Sequence, residues 1–306
     1  MPKPAVFLDR DDTLIANSSL DWPEGTTPGD LCDPSRVSLL PGALEGCHLL
    51  HAAGFSLVMV TNQGLVARGN GTIDDVERTN RRVSDLLTSN GTPLLTATYY
   101  CPYHPKGTVE RYAREHPWRK PSGGMIAAAA QDLDLDLRSS WLIGDAQRDI
   151  DAALDAGIAA ERTIHIGPPR ADQAAHDQSA PDMLAAALIV LAHRTTETGV
   201  VTGRLTASSA LHAPLADASV RRIVISTGHA IAERVGVDLT AIEADDHGVT
   251  VSLRGTRVAA MGFLAELRRL TNAWHRSKHG NELWPTNTPG SSGDGWLDPP
   301  GQADPR

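Results

Sequence analysis

The sequence has few cysteines, no long apolar run and little positive charge. Three cysteines among 306 residues are too few, and odd in number, for a disulfide framework, which favours a reducing compartment. No stretch of about 18 apolar residues occurs, so we expect no transmembrane helix. The opening segment MPKPAVFLDRDD reaches charged residues too soon for a signal peptide. Together these absences predict a cytoplasmic protein.

The charge balance argues against the simplest electrostatic binding functions. The net charge is −9 at pH 7, and an acidic chain has no general affinity for nucleic acids or anionic membranes. We therefore expect neither as a partner. Only four of the 28 basic residues are lysines, so a lysine beside a motif stands out from the background. The apolar fraction of 41% is sufficient for a packed core, and the length suits two domains.

What the sequence does contain is an alternation of short apolar runs with helical patterns. Alternation of this kind predicts an α/β fold, in which a parallel sheet lies between layers of helices. The apolar runs predict strands at residues 4–8, 56–60, 96–100, 140–143 and 162–166. Capping residues and periodicity predict helices at residues 41–53, 72–89, 124–133 and 148–156.

Polar residues follow three of these predicted strands directly. Asp9 ends the first strand, Thr61 and Asn62 end the second, and Asp145 follows the fourth. In open parallel sheets, ligands bind beyond the carboxyl ends of the strands. These side chains are therefore expected to meet in one site.

The remaining sequence predicts a second, smaller domain. A polar loop at 168–181 and an apolar helix at 182–194 complete a first domain of residues 1–194. Residues 195–220 resemble a linker, and 221–280 predict a small α+β domain of unknown role. Within it we expect a strand at 222–226, a helix at 229–235, a hairpin of 238–243 and 249–253, and a helix at 257–277. Residues 281–306 are rich in Pro, Gly and Ser and predict a disordered tail.

The residues at the strand ends suit phosphoryl transfer. The Asp9 carboxylate can attack phosphorus and form an acyl phosphate, while Asp11 can protonate the leaving oxygen and later deprotonate water. Lys120 can neutralise charge on the transferring group. Asp145 and Asp149 provide the hard oxygen ligands that Mg²⁺ prefers. This set predicts a magnesium-dependent phosphatase acting on a small phosphate ester.

Four segments together resemble the signature motifs of the haloacid-dehalogenase (HAD) superfamily. They are Phe7-Leu8-Asp9-Arg10-Asp11-x-Thr13-Leu14, Val60-Thr61-Asn62-Gln63, Arg119-Lys120-Pro121 and Ile143-Gly144-Asp145-x-x-x-Asp149. The resemblance covers about residues 4–167 and implies a Rossmann-like, three-layer parallel sheet. Within the superfamily, the segments Ala67-Arg68-Gly69 and Cys101-Pro102-x-His104-Pro105 resemble the branch of heptose-bisphosphate and histidinol-phosphate phosphatases.

The resemblance assigns a role to each matching residue. It implies that Asp9 is the nucleophile and Asp11 the general acid and base, with Thr61 and Lys120 holding the phosphoryl group. It also implies a Mg²⁺ site made of the Asp9 carboxylate, the Asp11 backbone carbonyl and Asp145, with indirect support from Asp149. The expected substrate contacts are Asn62, Gln63, Arg68 and Arg119.

Two departures from the family pattern bear on these expectations. Family members usually carry glycine where this chain has Asp12, and the added carboxylate could disfavour an anionic substrate. The family's zinc loop is also eroded, because its four ligand positions hold Cys101, Tyr103, His116 and Trp118 here. With His104 one residue out of register, three candidate ligands are fewer than the four of a structural zinc site. We expect a metal-free loop packed through its aromatic residues in preference to a Zn²⁺ site.

Three functions are compatible with this sequence. The first is hydrolysis of a sugar bisphosphate, a heptose bisphosphate above all, and the arginines at 68 and 119 favour it. The second is hydrolysis of histidinol phosphate. The third is a catalytically weakened phosphate-binding module, with Asp12 and the eroded zinc loop as signs of decay.

Overall fold

The computed structural model describes residues 2–22, 24, 26–89, 91–168, 178–193, 199–206 and 213–284. The chain divides into two compact units, Met1–Ala187 and Leu188–Arg306. The division falls inside a helix, a few residues before the boundary expected at 194.

The first unit contains a six-stranded sheet in which every pair of neighbouring strands is parallel. The order is β5-β2-β1-β6-β7-β8. The strands are β1 (Ala5–Leu8), β2 (Ser56–Asn62), β5 (Leu95–Cys101), β6 (Trp141–Gly144), β7 (Thr163–Ile166) and β8 (Gln178–Ala180); β3 (Thr88–Ser89) and β4 (Thr92–Pro93) form a separate short hairpin. The parallel sheet confirms the predicted α/β class. Strand β8 corrects part of the predicted loop at 168–181, of which residues 169–177 lie outside the described residues.

Helices accompany the strands in the predicted alternation. They are α1 (Ala43–Ala52), α2 (Leu65–Arg68), α3 (Ile73–Leu86), α4 (Gly124–Asp132), α5 (Gln147–Asp155) and α6 (Met183–Ala192). Helix α3 begins at a capping box, in which Thr72 and Asp75 each accept a backbone N–H of the other. Among the described helices of the chain, none is both long and apolar enough to cross a bilayer.

The central strand β1 is fully buried and fixes the position of the site. All four of its residues have no exposed surface, and Phe7 lies between Val58 of β2 and Leu142 of β6. One core cluster joins these residues to Met125 and Ile126 of α4. The ladder extends one residue further, because the Asp9 amide donates to the Ile143 carbonyl at 3.0 Å. Asp9 therefore lies immediately beyond the end of β1.

The second unit is built from a three-stranded antiparallel sheet and two helices. Its elements are β9 (Val200–Thr206), α7 (Ala218–Val235), β10 (Asp238–Ala244), β11 (Gly248–Arg254) and α8 (Arg257–His279), with strand order β10-β11-β9. The hairpin and the last helix agree with the sequence patterns. The predicted strand at 222–226 is wrong, because these residues are part of α7. The predicted linker at 195–220 is wrong where it contains β9 and the start of α7.

Residues expected in a disordered tail are in part packed. Leu283 and Trp284 are buried. The Asn272 side chain of α8 donates to the Trp284 carbonyl at 2.9 Å and accepts the Trp284 amide at 2.7 Å. The Trp284 indole donates to the Thr271 hydroxyl at 2.9 Å. The ordered chain thus continues at least to Trp284, and residues 285–306 lie outside the described residues.

Close backbone packing between α1 and α6 gives a test of this fold. A Cβ atom added at Gly46 would lie 2.5 Å from the Met183 carbonyl oxygen, and neither backbone can yield cheaply. We expect Gly46→Ala to lower the free energy of unfolding by about 1–3 kcal/mol through overpacking. His48→Ala, at an exposed position of the same helix, should change it little. Chemical denaturation measures both, and equal stabilities of Gly46→Ala and the parent protein would contradict this packing.

Candidate active site

A buried ammonium group lies between two carboxylates at the end of β1. The Lys120 Nζ atom is 2.5 Å from Asp9 Oδ1 and 2.6 Å from Asp149 Oδ1, and it donates to the Val60 carbonyl at 2.8 Å. All three side chains are nearly inaccessible to solvent. Burial acts to lower the pKa of Lys120, but the charges of Asp149 and Asp9 outweigh it and raise the pKa. Lys120 is therefore a permanent positive charge beside Asp9.

Asn62 fixes the backbone that carries this lysine. Its side-chain amide donates to the Lys120 carbonyl and accepts the Lys120 amide, both at 3.0 Å. Asn62 ends strand β2, so the clamp connects the sheet to a loop distant in sequence. Both polar ends of the Asn62 side chain contact Lys120, and its expected contact with substrate stays a prediction.

Asp145 lies in the turn that joins β6 to α5, and Asp149 lies in the first turn of α5. Gly144 allows the close approach, since a Cβ atom there would lie 2.6 Å from the Asp149 Cβ atom. The Asp149 Oδ2 atom accepts the Ala146 amide at 3.0 Å and so caps the helix. Asp149 is thus held by both the helix start and Lys120, while Asp145 is held by neither.

The three carboxylates of Asp9, Asp145 and Asp149 form the group best suited to a cation among the described residues. They offer oxygen atoms that all lie within 4.8 Å of one another. The Asp145 Oδ1 atom is buried and lacks a hydrogen-bond partner in the described part of the chain. Burial, together with the charges of Asp9 and Asp149, raises the pKa of Asp145 to about 7. Clustered acidic oxygens with an unsatisfied buried member fit a hard divalent ion such as Mg²⁺.

Asp11 is held by a buried arginine that the sequence analysis did not single out. The Arg10 Nη2 atom contacts both Asp11 carboxylate oxygens, at 3.0 and 3.1 Å, and the Gln63 amide oxygen at 3.0 Å. The Arg10 Nη1 atom donates to Asn80 of α3 at 2.9 Å. Burial raises the pKa of Asp11, although the Arg10 charge opposes the shift. Arg10 thus orients Asp11, but its charge does not cancel the rise in the Asp11 pKa that burial causes.

Gln63 forms hydrogen bonds with two predicted catalytic side chains, those of Asp11 and Thr61. Its Nε2 atom donates to Asp11 Oδ2 at 3.1 Å and to the Thr61 hydroxyl at 2.8 Å. Gln63 is itself buried. These contacts give Gln63 a part in orienting Asp11 and Thr61, and its expected contact with substrate stays a prediction.

The two arginines expected to contact substrate are both anchored. The Arg68 Nε atom donates to Asp30 Oδ2 at 3.1 Å, and its Nη2 atom pairs with Asp30 Oδ1. Arg119 donates from Nη1 to the Tyr103 carbonyl at 3.2 Å. Burial lowers the pKa of Arg119, and the nearby charge of Arg68 contributes to this shift. The two guanidinium groups are therefore close enough to interact electrostatically.

The candidate zinc ligands are engaged in other contacts. His104 and His116 each accept a backbone amide at Nδ1, from Lys106 and Trp118 respectively, both at 3.1 Å. Cys101 is buried, and its thiol contacts the Tyr103 carbonyl. Within the described residues these three side chains do not form a metal-ligand group like that of the aspartates. The proposed ligand set of Cys101, His104 and His116 is therefore not assembled.

Aromatic packing holds this loop together. The His116 ring stacks on Tyr103, with centroids 4.2 Å apart and an interplanar angle of 11°. Trp118 packs edge-on against Tyr99 at 6.0 Å, and the Arg114 guanidinium lies 4.6 Å from the Tyr103 ring centroid. These contacts are the type expected for the eroded loop.

Comparisons with known proteins show which family the chain resembles. The HAD-hydrolase-like family model matches residues 117–191. A D-glycero-D-manno-heptose-1,7-bisphosphate 7-phosphatase of Thermosynechococcus vestitus is 39% identical over 160 residues, which is 51% of this chain and 76% of the relative. A D-glycero-alpha-D-manno-heptose-1,7-bisphosphate 7-phosphatase of Burkholderia mallei is 34% identical and covers 52% and 78%. A crystal structure of a HAD-like phosphatase from Mesorhizobium loti superposes with a TM-score of 0.53 at 30% identity, covering 62% of this chain and 86% of that one.

The crowding of carboxylates gives a stability test. Because the folded-state pKa of Asp145 is raised to about 7, its ionisation opposes folding. The penalty is absent below about pH 4, grows as the pH rises towards 7, and is complete above that. In metal-free protein at pH 8, Asp145→Asn should therefore raise the free energy of unfolding by on the order of 2 kcal/mol.

The pH dependence of this gain separates the effect from a general one. The gain should shrink as the pH falls from 7 and disappear near pH 4. Asp151→Asn removes an exposed acid from the adjoining helix α5 and should show no such profile. Urea unfolding in the presence of a chelator measures the free energy of unfolding of the parent protein and of both variants. A gain in unfolding free energy that is independent of pH, or a loss at pH 8, would contradict the electrostatic repulsion assigned to Asp145.

Proposed function

The chain belongs to the HAD-like family of D-glycero-D-manno-heptose-1,7-bisphosphate phosphatases, and on this premise we propose that it hydrolyses the 7-phosphate of a heptose 1,7-bisphosphate through an aspartyl phosphate on Asp9. The observation that supports this mechanism is the contrast between two nearby carboxylates. Asp9 is paired with Lys120, whereas burial raises the pKa of Asp11. One group is suited to attack phosphorus and the other to carry a proton.

The first half-reaction transfers the phosphoryl group to the enzyme. A carboxylate oxygen of Asp9 forms a bond to phosphorus as the bond between phosphorus and the sugar oxygen breaks. Asp11, in its protonated form, gives its proton to that leaving oxygen, so that the sugar departs as a neutral alcohol. The raised pKa of Asp11 supports this role because it increases the protonated fraction.

The second half-reaction restores the enzyme. Asp11, now ionised, accepts a proton from a water molecule as the water oxygen attacks phosphorus. The bond between phosphorus and the Asp9 oxygen breaks, and inorganic phosphate leaves. Arg10 and Gln63 hold Asp11 in place through both steps. Lys120 would balance charge on the phosphoryl oxygens, and the Thr61 hydroxyl would donate a hydrogen bond to them.

A Mg²⁺ ion would be held by the carboxylates of Asp9 and Asp145 and by the Asp11 backbone carbonyl. Asp149 would act indirectly, because its oxygens already contact Lys120 and Ala146. Bound there, the ion would reduce the repulsion between an anionic substrate and the acidic site. This proposal rests on the donor set and on the unsatisfied Asp145 oxygen.

The anomer of the sugar is a separate question. One relative of this chain is named for the alpha form and another, from Yersinia pestis, for the beta form of the heptose. Arg68 and Arg119 supply the positive charge for the part of the substrate remote from the reacting phosphate. The alternative of a weakened binding module loses one of its two supports, because Asp12 occupies its turn with two backbone hydrogen bonds.

A substrate panel tests the proposed function. Phosphate release in the presence of Mg²⁺ is measured for both anomers of heptose 1,7-bisphosphate, for hexose bisphosphates and for histidinol phosphate. We expect one heptose anomer to be preferred, and Asp9→Asn to abolish turnover because no oxygen nucleophile of equal strength remains. Asp11→Asn should lower kcat by about 10²–10⁴-fold through loss of general acid and base catalysis.

Asp74→Asn serves as the control, since Asp74 is an exposed acid of α3, and it should retain full activity. Turnover of histidinol phosphate above the heptose esters would replace the proposed substrate but keep the mechanism. Undiminished turnover by Asp9→Asn would disprove the aspartyl-phosphate mechanism. Binding of a phosphate ester without any turnover would favour the binding module.

The metal site makes its own prediction. Since Asp145 titrates at about pH 7 in the absence of metal, cation binding should displace a proton below that pH. The dissociation constant of Mg²⁺ should rise by up to about tenfold for each pH unit below 7. Calorimetric titration in two buffers of different ionisation enthalpy counts the released protons without any turnover. A dissociation constant that is the same at pH 6 and pH 8, with no proton release, would refute this linkage.

A further inference from the structure

Asp12 occupies a strained backbone position and uses its carboxylate on the chain itself. Its φ angle is 57°, in the left-handed region that only glycine, asparagine and aspartate adopt readily. The Asp12 Oδ1 atom accepts the backbone amides of Asn17 at 3.0 Å and of Ser18 at 2.8 Å, and Oδ2 lies 3.1 Å from the latter. The carboxylate therefore holds the turn of residues 16–20, which we call the Asn17 turn.

The Asn17 turn is also connected to a buried acid, Asp30. The Asn17 side chain is buried, and its Nδ2 atom donates to the Gly29 carbonyl at 3.1 Å. The next residue, Asp30, is buried and makes the paired contact with Arg68 described above. Asn70 adds a further hydrogen bond to Asp30 at 2.7 Å. A continuous series of contacts thus joins Asp12 to Arg68.

Arg68 is the last residue of α2, and its side chain lies close to the Gln63-Gly64 segment. A Cβ atom added at Gly64 would be 3.0 Å from the Arg68 Nη1 atom, and Gly64 directly follows the Gln63 that orients Asp11. The charge of Arg68 also reaches Arg119, which precedes Lys120. The Nε and Nη2 atoms of Arg68 contact Asp30, so this acid fixes the orientation of the guanidinium group. In this orientation the Nη1 atom lies on the side of Gly64.

We propose that Asp12 is a positioning residue for substrate binding, acting through the Asn17 turn and Asp30 to hold Arg68 against the substrate's remote phosphate. The proposal rests on the function proposed above, since a second anionic group must be present for Arg68 to recognise. It assigns to Asp12 a role in affinity and not in the chemical step. The acid at position 12 is then a local specialisation of this chain and not a sign of decay.

Two substitutions at Asp12 separate its hydrogen bonds from its charge. Asp12→Asn removes the charge but keeps the Oδ1 atom, which accepts both amides, and asparagine tolerates the left-handed backbone. Asp12→Gly suits the backbone equally well but removes both hydrogen bonds. Neither variant forces strain on the fold, so thermal unfolding should show both to be folded.

The readout is the division between KM and kcat on two substrates. For the preferred heptose 1,7-bisphosphate, Asp12→Gly should raise KM about tenfold and leave kcat within about threefold, as expected for lost ground-state binding. For p-nitrophenyl phosphate, which has no second phosphate, both parameters should stay near those of the parent protein. Asp12→Asn should resemble the parent on both substrates.

Three results would overturn the proposal. An equal loss in Asp12→Asn and Asp12→Gly would show that the charge acts, for example on the metal site. A loss of kcat on both substrates would place Asp12 in the chemical step. Unchanged kinetics of Asp12→Gly would show that the contacts do not reach the substrate.

Failure of the underlying function is recognised separately. It would appear as a parent protein that hydrolyses neither ester, and the network is then tested by amide hydrogen exchange on the full chain. Faster exchange in the peptide of residues 64–70 for Asp12→Gly, but not for Asp12→Asn, would support the connection from Asp12 to Arg68. Unchanged exchange there would overturn it.

Discussion

The site depends on one buried ammonium group. Asp9, Asp145 and Asp149 bring three carboxylates within a few ångströms of one another, and burial makes their mutual repulsion costly. Lys120 offsets part of this repulsion by contacting two of them, while its third donor satisfies the Val60 carbonyl. An unpaired buried charge is far more costly than a paired one. The lysine, the clamp of Asn62 around it and the helix start that holds Asp149 therefore form one unit, and Asp145 carries the repulsion that remains.

The position of the candidate site's acids and lysine follows from the sequence, but the groups that hold them do not. Asp9, Thr61, Lys120 and Asp145 each follow a strand or stand in a recognisable motif, and the structure brings them together. Arg10 was missed because an arginine between two acids in sequence normally indicates a solvated turn, and its burial depends on Gln63 and Asn80 from distant segments. The positioning contacts of Asn62 were likewise invisible, because its partner is the backbone of a residue 58 positions away. Roles set by long-range contacts leave no local signal in one sequence.

The fold shows the same division between local and distant causes. The five predicted strands of the parallel sheet are recognisable because they are short apolar or β-branched runs, and β1 and β6 are buried along their whole length. The segment 222–226 misled because it is rich in β-branched residues, whereas the longer pattern of Val220, Val224 and Ile231 buries one side of a helix. Strand β9 was overlooked because Gly203 and Arg204 interrupt its apolar pattern, and its pairing with β11 compensates. Trp284 lies in a segment of disordered composition, yet two residues of α8 satisfy its polar atoms.

Aromatic packing restrains the loop before Lys120, whose ligand pattern departs from that of the family. The Tyr103 carbonyl of this loop accepts a hydrogen bond from the Arg119 guanidinium, so a restrained Tyr103 also restrains Arg119. Zinc would fix the loop by direct bonds to a few side chains. In this chain the stacked rings of Tyr103 and His116, with Arg114 over the same tyrosine, restrain the residue whose carbonyl is needed. Dispersed aromatic contacts are individually weak but act together in a half-buried loop. Packing around Tyr103 therefore helps to position Arg119, through contacts that need no metal ligand.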